Sequence, residues 1–433
     1  MKKTLLFIVT LLTSYLGMAQ ETYHPTAENL KAREQFQDEK FGIFLHWGLY
    51  SMMGTTEWIM TNRDINYKEY PKLAKTFYPS EFDADAWVKA IKAAGAKYIT
   101  ITTRHHDGFS LFKTATSTYN SVDGTPFKRD IIKEMADACQ RNGIKLHLYY
   151  SHLDWGREDY PVGRTGTGTG RPKEKANWAS YYKFMNTQLT ELLTNYGKVG
   201  AIWFDGWWDH DSDAKPFDWQ LEEQYALIHK LQPQCLVANN HHHTPFSGED
   251  IQIFERDLPG ENKAGLSGQS IGRLPLESCQ TINEHWGYNI TDTLYKSPKE
   301  LIQMLVRAAG KNANLLLNIG PEPGGALPEL ALNRLQAIGE WLNKYGETIY
   351  GTRGGIVTPH EWGVSTQRGN KLYIHILNCM DSSLFIPTGN HKIKSATVFG
   401  TNKRVNFTKT GNGITLNLDT VPTDIDYIVE LTL

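Results

Sequence analysis

The chain has 433 residues, 40% hydrophobic and 21% charged, with a formal net charge of −2 and a pI near 6.7. That is globular composition, and the near-neutral balance excludes an electrostatic binder of nucleic acid or of an anionic membrane. The length fits one large barrel with an appendage, or two to three domains, and the 12 Trp, 21 Tyr and 17 Phe fill a large aromatic core or offer rings on which a sugar stacks.

In chain order, MKKTLLFIVTLLTSYLGMAQ comes first. Lys2 and Lys3 precede the mostly apolar stretch Leu5 to Leu16, and small residues follow at Gly17 and Ala19. This predicts a secretory signal peptide over residues 1–20, cut near Ala19 or Gln20, and an exported protein, periplasmic or secreted. The stretch is too short for a spanning helix. No Cys follows it for a lipid anchor, and no later run predicts a membrane span. Cys139, Cys235, Cys279 and Cys379 lack metal-ligand spacing and predict buried thiols.

From residue 40 to 345, short apolar runs alternate with amphipathic segments. The runs are 41–46, 98–103, 145–151, 201–205, 235–240, 250–255, 274–278 and 314–319. The helical segments are 86–96, 130–142, 180–196, 222–231 and 297–309, two of them closed by Gly95 and Gly143, a helix stop. Eight strand–helix units predict a (β/α)8-type barrel over 21–345. A doubly wound open sheet competes, but no GxGxxG follows the first strand. Residues 162–172 are Gly/Thr-rich and lack the Gly-Lys-Ser/Thr end of a P-loop. After Tyr345 the pattern becomes short and alternating (371–377, 395–399, 404–409, 413–418, 427–433), which predicts a C-terminal antiparallel β-sandwich over 346–433.

Barrel chemistry sits at the C-terminal ends of the strands. There the chain places His46-Trp47-Gly48 with Glu57-Trp58 beyond, Arg104-His105-His106, Tyr149-Tyr150-Ser151, Trp203 and Asp205, Asn239-Asn240-His241, Glu255, and Glu277 with His285-Trp286 beyond. In AIWFDGWWD (201–209) a carboxylate ends a buried run, which is costly unless it is paired or put to use. Carboxylates among aromatic and imidazole side chains suit a glycosidase, in which one attacks the anomeric carbon and another protonates the leaving oxygen. The acid needs a raised pKa. His105, His106 and His241 to His243 admit a zinc reading, but adjacent histidines on an extended segment face opposite ways, and HExxH is absent. No metal or cofactor is expected.

The pieces FGIFLHWGLYS (41–51), TEW (56–58), RHHDGFSLF (104–112), KRD (128–130), LYYSHLDW (148–155), WFDGWW (203–208), ESCQTINEHWGYN (277–289) and NLLLNIGPEPGG (314–325) together resemble the α-L-fucosidases of glycoside hydrolase family 29. The resemblance implies release of L-fucose from fucosylated glycans by two-step retaining hydrolysis, and the signal peptide with Gln20 near its cleavage point makes the expected member a bacterial, exported one. Asp205 matches the nucleophile, and His46, Glu57, Trp58, His105, His106, Tyr149 and Trp203 match residues that hold the sugar. Trp207 and Trp208 would shape the pocket, and Trp286 adds a ring. The family does not keep its acid/base in one motif. Glu255 is favoured and Glu277 is the alternative. Where many relatives read Asn-Asp-Arg, this chain reads Asn239-Asn240-His241, so His241 is expected to reach the substrate. An α-L-galactosidase, or a barrel that only binds carbohydrate, are the competing readings.

Overall fold

The computed structural model describes residues 23–401 and 403–433; the expected leader and its cleavage point lie outside them. Eight parallel strands form one sheet: β1 Phe41–Leu45, β2 Tyr98–Arg104, β3 Lys145–Ser151, β4 Ala201–Asp205, β5 Leu236–Asn239, β6 Gln252–Glu255, β7 Leu276–Thr281 and β8 Ala313–Ile319. Their order is β5-β4-β3-β2-β1-β8-β7-β6, so the sheet curls until its two edge strands meet. Helix α1 (Ala27–Glu39) precedes β1, and α2 (Ile59–Asn62) and α3 (Ala84–Ala93) lie between β1 and β2. Then come α4 (Ile131–Asn142), α5 (Trp178–Asn195), α6 (Leu221–Leu231), α7 (Pro298–Gly310) and α8 (Glu329–Tyr345). Among the described residues no helix is long and apolar enough to cross a membrane.

Local chemistry sets these elements. Asp130 caps α4 through Lys133 N at 2.9 Å, and Gly143 ends it at φ 65. Ser297 and Glu300 form a capping box on α7, satisfying two otherwise orphaned N–H groups. The strands are buried almost throughout, as expected where both faces of a parallel sheet are covered.

The expected eight strand–helix units are not all present. Loops 240–251 and 256–275 replace the helices on either side of β6. Pro245 and Gly248 interrupt the first; Pro259, Gly260, Gly265, Gly268, Gly272 and Pro275 interrupt the second, and such residues break helical periodicity. The barrel therefore closes at β5–β6 through a single bridge, Ala238 to Ile251. Asp250 and Ile251 both donate their N–H to Val237 O, at 2.8 and 3.2 Å. Helix α1 packs at this end of the barrel, and its Phe36 meets Tyr98 inside. Gly42 makes room for Tyr98, because a Cβ there would lie within the phenol ring.

Strand alternation points Phe44, Tyr149, Trp203, Ala238, Ile253, Cys279 and Leu316 into one apolar cluster inside the barrel. A larger cluster joins the outer face of the sheet to the helices. The four cysteines are free, three buried and Cys379 partly exposed.

The C-terminal part is antiparallel: β9 Arg353–Gly354, β10 Gly363–Arg368, β11 Lys371–Ile376, β12 Ser383–Ile386, β13 Ser395–Val398, β14 Asn406–Thr410, β15 Gly413–Asn417 and β16 Tyr427–Thr432. They form two sheets, β13-β16-β11-β10-β9 and β12-β15-β14, around a core that includes Leu372, Ile386, Leu416 and Leu431. The sequence reading overlooks β9, β10 and β12; β10 (GVSTQR) has few apolar residues. The sandwich rests on α7, where Gln303 Nε2 donates to Leu377 O and Ile425 O at 3.0 and 2.8 Å.

Candidate active site

Asp205 is the last residue of β4, in register with Ser151 of β3. Gly206 follows at φ 93, a left-handed turn that suits glycine. The turn brings the Gly206 N–H and Trp208 Nε1 back onto Asp205 Oδ1, at 2.8 and 3.0 Å. The Tyr149 hydroxyl donates to Asp205 Oδ2 at 3.0 Å. Glu255 ends β6 on the same rim. Asn240 Nδ2 donates to Glu255 Oε2 at 2.8 Å and reaches Asp205 Oδ1 at 3.4 Å. These two contacts laid end to end are shorter than the roughly 6.5–9.5 Å of an inverting pair. His242 Nε2 lies 3.0 Å from Glu255 Oε2.

The carboxyl pair shares a buried space. Burial, then the charge of Glu255, raises Asp205 to about 6, against the Trp208 and Tyr149 hydrogen bonds. Burial also pushes Glu255 up, but its bonds to His242 and Asn240 and the nearby charges leave it below the ordinary glutamate range. Two such groups titrate as a unit.

The imidazoles are held neutral. Burial lowers His46 to about 4 and takes His105 and His106 well below their ordinary value, with the adjoining imidazoles and, for His106, Arg104 adding to it. Asn318 Nδ2 donates to Trp286 O at 2.7 Å, so its Oδ1 accepts from His46 Nδ1 at 2.6 Å. That assigns the lone pair to His46 Nε2, which can accept from a hydroxyl. The Ser151 hydroxyl donates to Leu153 O at 2.6 Å and so accepts from His106 Nδ1 at 2.7 Å. His106 Nε2 lies 3.5 Å from Asp205 Oδ2. Glu57 Oε2 accepts from Gly287 N at 2.9 Å. The Trp58 and Trp208 rings stack at 5.5 Å, and Trp286 packs on His46 at 5.3 Å.

Of the residues picked from sequence, His46, Glu57, Trp58, His105, His106, Trp203, Asp205, Glu255 and Trp286 line one pocket, together with Trp208. Tyr149 reaches Asp205 from below. Glu277 does not line the pocket. It pairs in register with Ile253, whereas Glu255 pairs with Cys279, so Glu277 sits one layer of side chains deeper. Tyr98 OH and Trp203 Nε1 donate to its two oxygens at 2.7 and 2.9 Å. His241 is a correction: it is buried away from the pocket, its Nε2 3.0 Å from Glu249 Oε1 and its ring on Phe246 at 4.2 Å. Trp207 also turns outward, onto His243 at 5.0 Å. Asn240, His242, Arg164 and Leu266 complete the wall. The first two adjoin a recognised strand end. The last two sit on irregular loops and carry no sequence signal. Among the described residues no three His, Cys, Asp or Glu side chains gather as metal ligands.

What this rim can do is nucleophilic and acid–base work on a bond held against flat rings, with neutral imidazoles for hydroxyls, and that is the work of a glycoside hydrolase. Comparison with known proteins narrows the class. The α-L-fucosidase family model matches residues 10–347, and the chain belongs to that family. Plasma α-L-fucosidase of Rattus norvegicus is 30% identical over 403 residues, covering 84% of this chain and 82% of the relative. α-L-Fucosidase isoenzyme 1 from Paenibacillus thiaminolyticus matches with a TM-score of 0.83 at 35% identity, covering 94% of this chain and 99% of that one. A Bacteroides thetaiotaomicron α-L-fucosidase, trapped as a covalent intermediate with 2-fluoro-fucosyl fluoride, matches with a TM-score of 0.80 at 28% identity over 93% and 96%. The enzyme is an α-L-fucosidase that acts on fucosylated glycans.

Proposed function

We propose that the enzyme removes terminal L-fucose with retention, through a covalent fucosyl-enzyme. Asp205 attacks the anomeric carbon while Glu255 gives its proton to the departing oxygen. A water then attacks the same carbon, Glu255 takes the water's proton, and Asp205 leaves as carboxylate. His46, Glu57, Trp58, His105, His106, Trp203 and Trp286 hold the sugar; Tyr149 steadies Asp205. The observation that carries this reading is the Asn240 amide nitrogen, within 3.4 Å of Asp205 and 2.8 Å of Glu255, a closeness that favours the retaining geometry. The trapped intermediate of the Bacteroides relative supports it. Glu277 supports the floor in this reading, because both its oxygens are engaged below the pocket.

The test is hydrolysis of 4-nitrophenyl α-L-fucoside by wild type, Asp205→Ala, Glu255→Ala and Glu277→Ala, with and without azide. Asp205→Ala should lose on the order of 10³-fold or more. Azide should rescue Glu255→Ala to fucosyl azide of retained configuration, and Asp205→Ala to the inverted product. Rescue with retention in Glu277→Ala instead would move the acid/base there.

Export is proposed from Lys2, Lys3, the apolar stretch Leu5 to Leu16 and the small residues Gly17 and Ala19. Amino-terminal sequencing of the protein recovered from its cells tests it. A first residue near Glu21 supports export to the periplasm or beyond, and an intact Met1 overturns it.

A further inference from the structure

We infer that His242 is a positioning residue for Glu255 that divides the catalytic effort between the two half-reactions, supporting the charged Glu255 of the fucosyl-enzyme at the expense of the protonated Glu255 that starts the cycle. This rests on the assignment of Glu255 as acid/base above.

The geometry singles out one of three consecutive imidazoles. His241 is tied to Glu249, and its Nδ1 accepts from His243 N at 3.0 Å. Phe246 N donates to Glu249 Oε2 at 3.1 Å, which closes the loop on the same carboxylate. His243 is exposed and packs on Trp207. Between them His242 takes φ 65, a left-handed conformation uncommon for a residue with a side chain. That conformation turns its ring into the pocket wall, with Nε2 3.0 Å from Glu255 Oε2. The side chains are 21% and 15% exposed, so solvent screens the contact weakly. Backbone strain of this kind concentrates at functional sites.

Asp205 approaches Glu255 from β4, and His46 from β1. Cys279 lies opposite on β7. Arg256, next in the chain, has its Nη2 on Glu284 O at 3.0 Å and its guanidinium 5.2 Å from the Trp286 ring. Arg164 at the mouth pairs with Asp211 at 3.2 Å. His242 is the titratable group in direct hydrogen-bond contact with Glu255.

Reaction requires the pair's single negative charge on Asp205 and the proton on Glu255, the reverse of the balance in the free site, where Asp205 is raised and the His242 and Asn240 bonds hold Glu255 low. Fucosyl transfer turns Asp205 into a neutral ester and sends the Glu255 proton to the leaving oxygen, so the charge moves to Glu255. Water attack returns it to Asp205. The Gly206 N–H, Trp208 Nε1 and the Tyr149 hydroxyl support the charge on Asp205 at either end of the cycle, and the imidazole beside Glu255 favours the middle state. His242 and Asn240 already counter the burial that pushes Glu255 up, so removing the imidazole lets Glu255 keep its proton to higher pH.

The experiment compares wild type with His242→Phe and with His242→Gln, which keeps an N–H, after thermal melts confirm that each is folded. The first readout is the pH profile of kcat/KM on a fucosyl disaccharide, whose leaving oxygen needs a proton. His242→Phe should move the basic limb up by about half a pH unit or more, with His242→Gln between. The second is the pre-steady-state course on 4-nitrophenyl α-L-fucoside, whose leaving group needs little acid help. His242→Phe should show a smaller burst, because the fucosyl-enzyme loses the donor that supports its charged Glu255 and the more basic Glu255 takes the water's proton more readily. An unmoved basic limb together with an unchanged burst overturns the role of His242. Wild type that turns over neither substrate overturns the proposed reaction instead.

Discussion

Trp203 Nε1 donates to Glu277 Oε1 at 2.9 Å while Tyr98 OH donates to Oε2 at 2.7 Å, so one carboxyl carries the indole that walls the sugar pocket. Burial raises this carboxyl to about 7 from 4.5. It is protonated in the fold and ionised in the unfolded chain between those values. Its stability contribution is therefore full below pH 4.5 and is lost as pH rises through 7. The span corresponds to about 3 kcal/mol. Glu277→Gln keeps an acceptor for Trp203 and removes the titration. Its melting temperature relative to wild type should improve from about pH 5 to about pH 8, and azide should not stimulate it. A gap constant with pH would mean that Glu277 is ionised in the fold.

Tyr149→Phe removes the hydroxyl donated to Asp205 Oδ2 at 3.0 Å but keeps the ring, which stacks on Trp203 at 5.6 Å. A hydrogen bond to a charged group contributes about 1.5–3 kcal/mol, so kcat should fall about 10- to 100-fold while KM changes little. Without that donor the nucleophile, already raised to about 6, ionises at still higher pH. The acidic limb of the rate profile should move upward. Steady-state kinetics across pH read both effects, and a loss confined to KM would make Tyr149 a substrate contact only.

The site was legible where an apolar run ends in an ionisable residue. His46, Asp205 and Glu255 announce themselves that way because a buried strand seldom finishes on such a group without use. The layer of Glu277 was not legible. The apolar pattern starts a strand at Leu274, whereas the observed strand starts at Leu276, and this places Glu277 second in the strand and deep in the barrel. Nor does the string His241-His242-His243 show which ring turns inward, since φ 65 at His242 and the partner Glu249 decide it. Arg164 and Leu266 reach the pocket from loops without periodicity, positioned by tertiary contacts such as Arg164 N to Asp209 O at 2.9 Å. The missing helices beside β6 follow from the Pro and Gly of those crossings, which the count of eight repeating units overrode.

In the sandwich, His375 Nδ1 and Asp426 Oδ2 meet at 2.7 Å with both side chains fully buried. His375 Nε2 faces Thr366 Oγ1 at 3.0 Å, and that hydroxyl donates to Thr348 O at 2.6 Å. The chain thus ties β10, β11 and the turn after α8. Removing one partner of a buried pair leaves the other uncompensated, which costs about 3–5 kcal/mol. His375→Ala should melt several degrees lower, yet retain kcat/KM per folded molecule, because no described sandwich residue lines the pocket. A changed kcat/KM in the fully folded variant would show that the sandwich acts on the site.

The weakest closure of the barrel lies beside its chemistry. Asp250, wholly buried, accepts from Val237 N at 2.7 Å and lies 2.9 Å from His229 Nε2 through Oδ2, while Oδ1 takes Arg33 Nη2 at 2.5 Å and Nε at 2.9 Å. One side chain thus stands in for ladder bonds that β5 and β6 lack and pins α1 across them. Asp250→Ala leaves the Arg33 guanidinium with only the neutral acceptors Asn29 Oδ1 and Glu249 O and strands a strand N–H at once, at a cost of about 3–5 kcal/mol. The effect on rate should exceed that of a remote lesion. Asn240 and His242 lie just past β5 and Glu255 ends β6, so loosening the seam moves the acid/base against a nucleophile held by β4. The fucosyl disaccharide, which depends on that acid, should lose more kcat/KM than the nitrophenyl fucoside, and amides 236–255 should exchange hydrogen faster. Equal losses on both substrates with unchanged exchange would mean that Asp250 supports overall stability without setting the Glu255 position.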